Sequence, residues 1–342
     1  MTNPIKKTTI LDVAKECGVS ATTVSYALRN HPKISEQTKQ KIREAAERLN
    51  YRRNPMVSAL MSSLSQSRGP ADPAPLAVVC TNSGKKTGTQ YQQRLWKGIS
   101  QRAEELGFST EQFFLDYRKI DSKRISQIFI TRGISGLILL PASRGGAHLS
   151  LDWNAFSAVA IGYSLLRPNL DRICHDQYQE IRLALKQIYS LGYKRPGLLL
   201  CPKQDLRSLY SWSSGFYGYE YPRKKNRIIP VLDYRDQEGL LNWYRKYQPD
   251  VIIGTDNYML KQAGLKYPDD LGFVTLGYKA TQPEIAGIDE QTELLGAAAV
   301  NHLTQLLYNN IRGIPDSSCT VLIQPKWVDG ASLPRHDVSA EK

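Results

Sequence analysis

The 342-residue chain carries 45 Lys plus Arg against 32 Asp plus Glu, a formal charge of +13, with 41% hydrophobic residues, 24 Gly and 18 Pro. The apolar fraction excludes disorder as the dominant state, ordinary Gly and Pro content excludes a collagen-like or low-complexity chain, and the length implies about two to three domains. No run approaches the ~18 apolar residues of a membrane helix, and no apolar segment of secretory type follows Met1 to Lys7, so a cytoplasmic protein without a membrane partner is expected.

Five cysteines, Cys17, Cys80, Cys174, Cys201 and Cys319, are dispersed without metal-binding spacing and read as reduced side chains. The charge is uneven: residues 1–68 hold 12 Lys/Arg and 5 Asp/Glu, or +7, leaving 33 minus 27, or +6, for the other 274. Concentrated Lys and Arg suit a polyanion, with nucleic acid the leading candidate, because phosphate neutralisation releases counterions. A merely solvated basic face is the alternative.

Residues 9–49 read as three short helices. Thr9 with Asp12 three residues on resembles a capping box, and Ile10, Val13, Ala14 and Cys17 follow at i, i+3, i+4 and i+7. Gly18-Val19-Ser20 breaks this helix: Gly18 supplies the left-handed turn, Val19 plugs the core, and Ser20 caps a second helix that turns Val24, Ala27 and Leu28 inward. Ser35 caps a third helix with Ile42, Ala45, Ala46 and Leu49 as its apolar stripe. Helix, tight Gly turn, helix is a helix-turn-helix unit whose second helix enters the major groove, so Ala21, Thr22, Ser25, Tyr26 and Arg29 are the outward residues expected to meet bases and phosphates. A three-helix bundle with solvated polar faces is the alternative.

The run from Thr9 to Leu28, continued by Ile34-Ser35, Thr38 and Leu49-Asn50-Tyr51, strongly resembles the signature of the LacI/GalR family of bacterial transcription regulators. The resemblance implies DNA contacts from Thr9, Ile10, Ser20, Ala21, Thr22, Thr23, Ser25, Tyr26, Arg29, Lys33, Ser35, Thr38 and Tyr51. Tyr26 and Arg29 stand where that family usually has Arg and Asn, so its usual half-site is not assumed; Tyr26 can stack on a base or hydrogen-bond its edge but cannot make the bidentate guanine contact of Arg. In Asn54-Pro55-Met56-Val57-Ser58-Ala59-Leu60, Asn54 is a plausible cap and Pro55 suits the first helical position. By resemblance this is the hinge helix, contributing Asn54, Val57 and Leu60, with Leu60 as a minor-groove wedge; Leu60 as ordinary core is the alternative. Residues 65–75 read as a linker.

Beyond residue 76, apolar runs alternate with helical patterns. Strands are expected at Leu76 to Cys80, Gly136 to Leu140, Ala158 to Ile161, Leu198 to Cys201, Ile228 to Leu232, Val251 to Ile253 and Phe273 to Leu276. Helices are expected at Tyr91 to Leu106, Tyr178 to Leu191 and Leu294 to Tyr308. Such alternation predicts parallel sheets with both faces covered, in two α/β halves.

The order resembles the periplasmic-binding-protein-like effector domain of the same family. The expected fold class is therefore a small all-α helix-turn-helix head plus an α/β periplasmic-binding-protein-like effector domain of two parallel-sheet subdomains. The division is 1–53 for the head, 54–64 for the hinge helix, 65–75 for the linker, 76–335 for the effector-binding and dimerisation domain and 336–342 for a tail. Within 76–335 the N-subdomain takes about 76–173 plus 290–322, and the C-subdomain about 174–289 plus 323–335, with crossings near His175, Ile288 and Pro325.

Ligands of open α/β sheets sit at the carboxyl ends of strands, which points to Thr81 and Asn82, to Tyr163, and to Thr255-Asp256-Asn257. Asp256 follows a strand ending in Gly254 and matches the Asp that family members use on effector hydroxyls; capping the next helix is its structural alternative. His175 and Asp176 match the first crossover, where a structural hydrogen bond is the alternative, and Tyr91, Trp212 and Glu290 complete the implied set. Trp212 stands where the family commonly has a sugar-gripping Arg, which weakens a sugar assignment. Only fifteen residues separate Asp256 from Gly272, so the helix between them must be short. The crowd Tyr210, Trp212, Phe216, Tyr217, Tyr219 and Tyr221 could be a ligand platform, an interface or core.

No G-x-S-x-G, H-E-x-x-H or G-x-G-x-x-G is present, so an enzyme is not expected, nor a cofactor or metal. A transported-solute binding protein would share the effector fold but needs a signal peptide and no basic head. The expectation is a homodimeric repressor on palindromic double-stranded operator DNA, nucleoid-associated when bound, with affinity modulated by a small-molecule effector, a sugar or sugar derivative among the candidates. An effector would act as a reciprocal coupling between the two sites. Residues 334–342 show no heptad tail for tetramerisation.

Overall fold

The structure, a computed structural model, describes residues 8–28, 30–31, 33–51, 73–80, 89–115, 121–142, 146–224, 228–233 and 237–335. The expected hinge helix, residues 65–72 of the expected linker, the tail, and Arg29, Asn54, Val57, Leu60, Thr81 and Asn82 lie outside them, whereas Ala74 and Pro75, expected in the linker, open the first strand.

Three helices build the head: α1 (Ile10–Cys17), α2 (Ala21–Leu28) and α3 (Glu36–Arg48). The Asp12 carboxylate accepts from the Thr9 N–H at 2.8 Å and its hydroxyl at 2.7 Å. Gly18 ends α1 at φ 68° in the left-handed region open to a residue without Cβ, and the Val19 N–H turns back to the Ala14 carbonyl at 3.0 Å. Ser20 Oγ accepts from the Thr23 N–H at 3.0 Å and Ser35 Oγ from Thr38 at 3.3 Å, so both later helices start on a hydroxyl cap. Val13, Ala14, Cys17, Val24, Ala27, Ile42, Ala45 and Ala46 form the buried centre.

Two six-stranded sheets follow. The first comprises β1 (Ala74–Cys80), β2 (Phe108–Phe114), β3 (Gly136–Leu139), β5 (Ser157–Ile161), β7 (Asp171–His175) and β13 (Thr320–Ile323), in the order β13-β7-β5-β3-β1-β2 and parallel throughout. The second comprises β8 (Pro196–Leu200), β9 (Leu232–Asp233), β10 (Val251–Gly254), β11 (Gly272–Thr275), β12 (Gly287–Asp289) and β14 (Lys326–Val328), in the order β14-β12-β11-β10-β8-β9, with only β14 antiparallel to its neighbour. A small pair, β4 (Ala147–His148) and β6 (Leu165–Arg167), stands apart.

The period-2 rule of strands sorts the cores. On β1, Leu76 and Val78 meet α4 (Gln90–Glu105) and α11 (Thr292–Tyr308), whereas Ala77 and Val79 meet the opposite layer with Phe129 of α5 (Ser122–Thr131). On β8, Leu198 and Leu200 face α6 (Gln177–Ser190) and α8 (Ser211–Lys224), while Leu199 faces Leu240 and Trp243 of α9 (Gln237–Tyr247). Helices α4 and α11 approach so closely that a Cβ on Gly98 would lie 2.0 Å from the Glu293 carbonyl oxygen. Two short helices, α7 (Pro202–Arg207) and α10 (Tyr258–Gln262), complete the second half.

The chain passes from the first sheet to the second between β7 and α6, returns between β12 and α11, and passes over again between β13 and β14. One expected strand is corrected: over Ile228 to Leu232 only Leu232 pairs, continuing to Asp233. Pro230 has no N–H for a ladder, although Ile229 is still buried.

Candidate functional site

In the head, the outward residues of α2 lie where the turn directs them. Thr22 is exposed, and Ala21, Thr23, Ser25 and Tyr26 are half-buried. The Tyr26 ring stacks on His31 with centroids 4.5 Å apart and planes 14° from parallel, which orients it. Thr9, Ser20, Lys33 and Ser35 are exposed and Thr38 half-buried, whereas Ile10 and Tyr51 also pack against the head's core. Lys15, Lys33, Lys41, Arg43 and Arg48 of the head are exposed as well, with Arg48 3.4 Å from the Glu16 carboxylate.

The second candidate site is built where the three crossings meet. His175 and Asp176 belong to the first, Glu290 and Gln291 to the second, Gln324 to the third. His175 Nδ1 lies 2.9 Å from the Glu290 carbonyl oxygen; a carbonyl only accepts, so Nδ1 carries a proton, and in the neutral ring Nε2 keeps its lone pair. Tyr91 Oη, from the first turn of α4, is 3.3 Å from that Nε2. The Gln324 amide donates to Asp176 Oδ2 at 2.9 Å, Gln291 donates to the Gln324 carbonyl at 2.6 Å, and Asp176 Oδ1 accepts from the Gln179 N–H at 3.1 Å. Asp176 thus caps α6 and ties two crossings together.

Beneath this network sits Glu180, a helix residue with no solvent exposure. Its Oε2 accepts from the Trp212 indole N–H at 2.7 Å, while Oε1 has no hydrogen-bond partner among the described residues. Burial pushes the Glu180 carboxyl well above the usual carboxylate range, and the neighbouring Glu290 carboxylate pushes it further. Glu290 is raised by burial too, though His175 and Arg94 pull it back. Burial likewise raises the Tyr91 phenol. Arg94 is held by Glu293, at 2.9 and 2.8 Å from Nε, and by Asp289 at 2.9 Å, which clips α4 to the second crossing.

Asp256 lies at the end of β10 in a depression lined by Thr255, Asn257, Thr275, Gly277 and Lys279. Its Oδ1 accepts from the Tyr258 N–H at 3.0 Å, the capping contact weighed above. The depression adjoins the crossings: a Cβ on Gly277 would lie 3.8 Å from the Thr255 carbonyl and 4.0 Å from Glu290 Oε2. Tyr163, after β5, is half-buried, and burial pushes its phenol up to about 12. The structure therefore joins Tyr91, His175, Glu290, Asp176 and, through Glu180, Trp212 in one network. Glu180 is the residue sequence reasoning missed, although the signal was present: it lies in phase with the apolar stripe Ala184 and Ile188 on one helix face. The aromatic crowd divides: Phe216 and Trp212 are core, whereas Tyr210, Tyr217 and Tyr221 are exposed.

A helix-turn-helix head joined to two parallel-sheet halves linked by three crossings defines the class, a DNA-binding transcription regulator with a periplasmic-binding-protein-like domain. Residues 9–54 match the model described as bacterial regulatory proteins, lacI family. Along its length the chain is 27% identical over 319 residues to the HTH-type transcriptional regulator MalR of Streptococcus pneumoniae, covering 88% of this chain and 93% of that one. It is 21% identical to the lactose operon repressor of Escherichia coli, over 88% and 85% of the two chains. Among solved structures, the CelR–cellobiose complex aligns with TM-score 0.57 at 15% identity, over 95% of this chain and all of that one. The lac repressor dimer bound to operator and an anti-inducer aligns with TM-score 0.53 at 19% identity, over 96% and all of the respective chains. The family match thus lies in residues 9–54, and the likeness along the rest of the chain is to HTH-type transcriptional regulators. Among the described residues no helix is long and apolar enough to cross a membrane.

Proposed function

We propose that this regulator is a cytoplasmic repressor that binds a palindromic operator as a homodimer and that a small molecule bound at the crossings sets its affinity. The observation that carries the DNA half is α2: capped by Ser20, held by the Gly18 turn, and presenting Ala21, Thr22, Ser25 and Tyr26 in a head with several exposed cations. Hydroxyl-capped helix starts at Ser20 and Ser35 are suited to phosphates, and the outward side chains to base edges. Leu60, Val57 and Asn54 complete the proposed contact set as a hinge helix.

The proposed domain division is the one set out from the sequence. Effector contact is assigned to Tyr91, Tyr163, His175, Asp176, Trp212, Asp256 and Glu290, with Thr81 and Asn82. The likeness to a regulator solved with cellobiose and to a repressor dimer solved on its operator supports a sugar-class effector and a dimer. A ligand that prefers one arrangement of the crossings shifts the spacing of the two heads, a coupling that acts equally on DNA and ligand affinity.

Selection of random-sequence duplexes on the full chain tests the reading. A two-fold symmetric site bound by two chains, with affinity falling steeply as salt rises, is expected. An asymmetric site bound by one chain, or no enriched sequence, contradicts it.

A further inference from the structure

His175, Glu180 and Glu290 each place one ligand atom within 4.8 Å of the others. Three features make this more than a meeting of acidic groups. The Glu180 side chain is fully buried with Oε1 unpartnered, although buried carboxylate oxygens are ordinarily satisfied. The Glu290 carbonyl holds the Nδ1 proton of His175, so that in the neutral ring Nε2 is the ligand atom, the second-sphere arrangement that prepares an imidazole for a metal. Arg94, which draws Glu290 down, is already engaged by Asp289 and Glu293.

We propose that His175 Nε2 and the carboxylates of Glu180 and Glu290 bind one first-row divalent transition-metal ion at the junction of the two lobes. One imidazole and two carboxylates suit Zn²⁺, Mn²⁺ or Fe²⁺, and one dication neutralises both carboxylates. Mg²⁺, which favours oxygen donors and retains its waters, is a poor match. Bonds of about 2.0–2.2 Å would bring the three donors closer together than they stand here. The donors come from the first crossing, the second crossing and α6, so chelation draws together the segments on which the lobes turn. Metal binding is thereby a means of setting the lobe angle. Only this last consequence rests on the regulatory reading of the crossings; the binding itself is measurable without DNA.

The test uses the full-length protein, stripped with chelator, dialysed and titrated with ZnCl₂ by calorimetry, with metal content counted by elemental analysis. One Zn²⁺ per chain is expected, undiminished by excess MgCl₂. Glu180→Gln keeps an oxygen for the Trp212 indole and should weaken binding by more than the roughly 10–100-fold that loss of an outer-shell partner costs, with unchanged circular dichroism. The Asp171, His302 and Cys319 cluster, in which His302 Nε2 bonds Asp171 Oδ2 at 2.8 Å, is the internal control. Cys319→Ser should bind Zn²⁺ as the parent does, and Co²⁺ bound to the parent should show ligand-field bands without thiolate charge transfer.

Absence of saturable Zn²⁺ binding overturns the proposal. So does binding that Cys319→Ser abolishes and Glu180→Gln preserves, or a Co²⁺–thiolate band in the parent. Should the Glu180 variant fail to fold, the Co²⁺ spectrum of the parent still decides. Operator affinity with and without Zn²⁺ is a separate readout: metal bound without change in DNA affinity supports the site and contradicts its regulatory consequence.

Discussion

The head and the crossings solve opposite physical problems. In the head, small apolar residues fill the centre and the helix starts are capped by groups three residues away, as Thr9 by Asp12 and Thr23 by Ser20, which presents one helix face to an external partner. At the crossings, polar groups 80 to 150 residues apart in sequence are buried together, and one carboxylate oxygen has no partner among the described residues. A surface made this way is complete in itself and recognises by presentation; a cleft made this way is completed by what enters it. The proposed function accordingly puts chemical sensing at the crossings and sequence reading in the head.

The largest expected effect breaks one region and spares the other. Val24→Asp puts a charge at a fully buried position among the apolar side chains of the head, a cost of about 3 kcal/mol or more. Operator binding should vanish while melting of residues 73–335 is unchanged; a parallel drop in that transition would show that the regions are not separate. Trp212→Phe leaves both Glu180 oxygens unpartnered and should destabilise the α/β portion by about 1–3 kcal/mol in urea titration, whereas retained stability would mean that Glu180 finds another donor.

Gly18→Ala should cost the head about 1–2 kcal/mol from backbone strain alone, since nothing lies within 4 Å of the added Cβ. Equal stability would place the cost of the turn elsewhere. Smallest is Arg94→Gln, about 1 kcal/mol for a partly exposed ion-pair network. The Arg94 hydrogen bond holds Glu293 below its ordinary 4.5, so this stabilisation is present above that pH and is lost as pH falls through the lowered folded-state value. The variant should flatten that acid limb, and an unaltered slope would remove Glu293 from it.

The same contrast explains what the sequence made legible. Gly18, Ser20, Ser35 and Asp12 act on neighbours three or four residues away, so spacing alone locates the head's turns and caps. The brevity of α10 was legible from the interval between Asp256 and Gly272. The edge strand β2 was not, because Phe108–Phe114 mixes polar and apolar residues on a strand with one neighbour. Helix α8 was hidden by its two glycines and Pro222. Tyr91, His175 and Glu290 were in view through the family resemblance, but not their junction, since no local pattern joins positions 91, 175 and 290. Glu180 was obscured because a carboxylate on a helix is ordinarily solvated.

The central claim is that α2 reads the operator, and it is tested most directly by selecting DNA sites in parallel on the parent chain and on Tyr26→Ala. A change of preferred base at one or two positions of each half-site, with the salt dependence retained, is the predicted result. An identical selected motif, bound more weakly at every sequence alike, would contradict it.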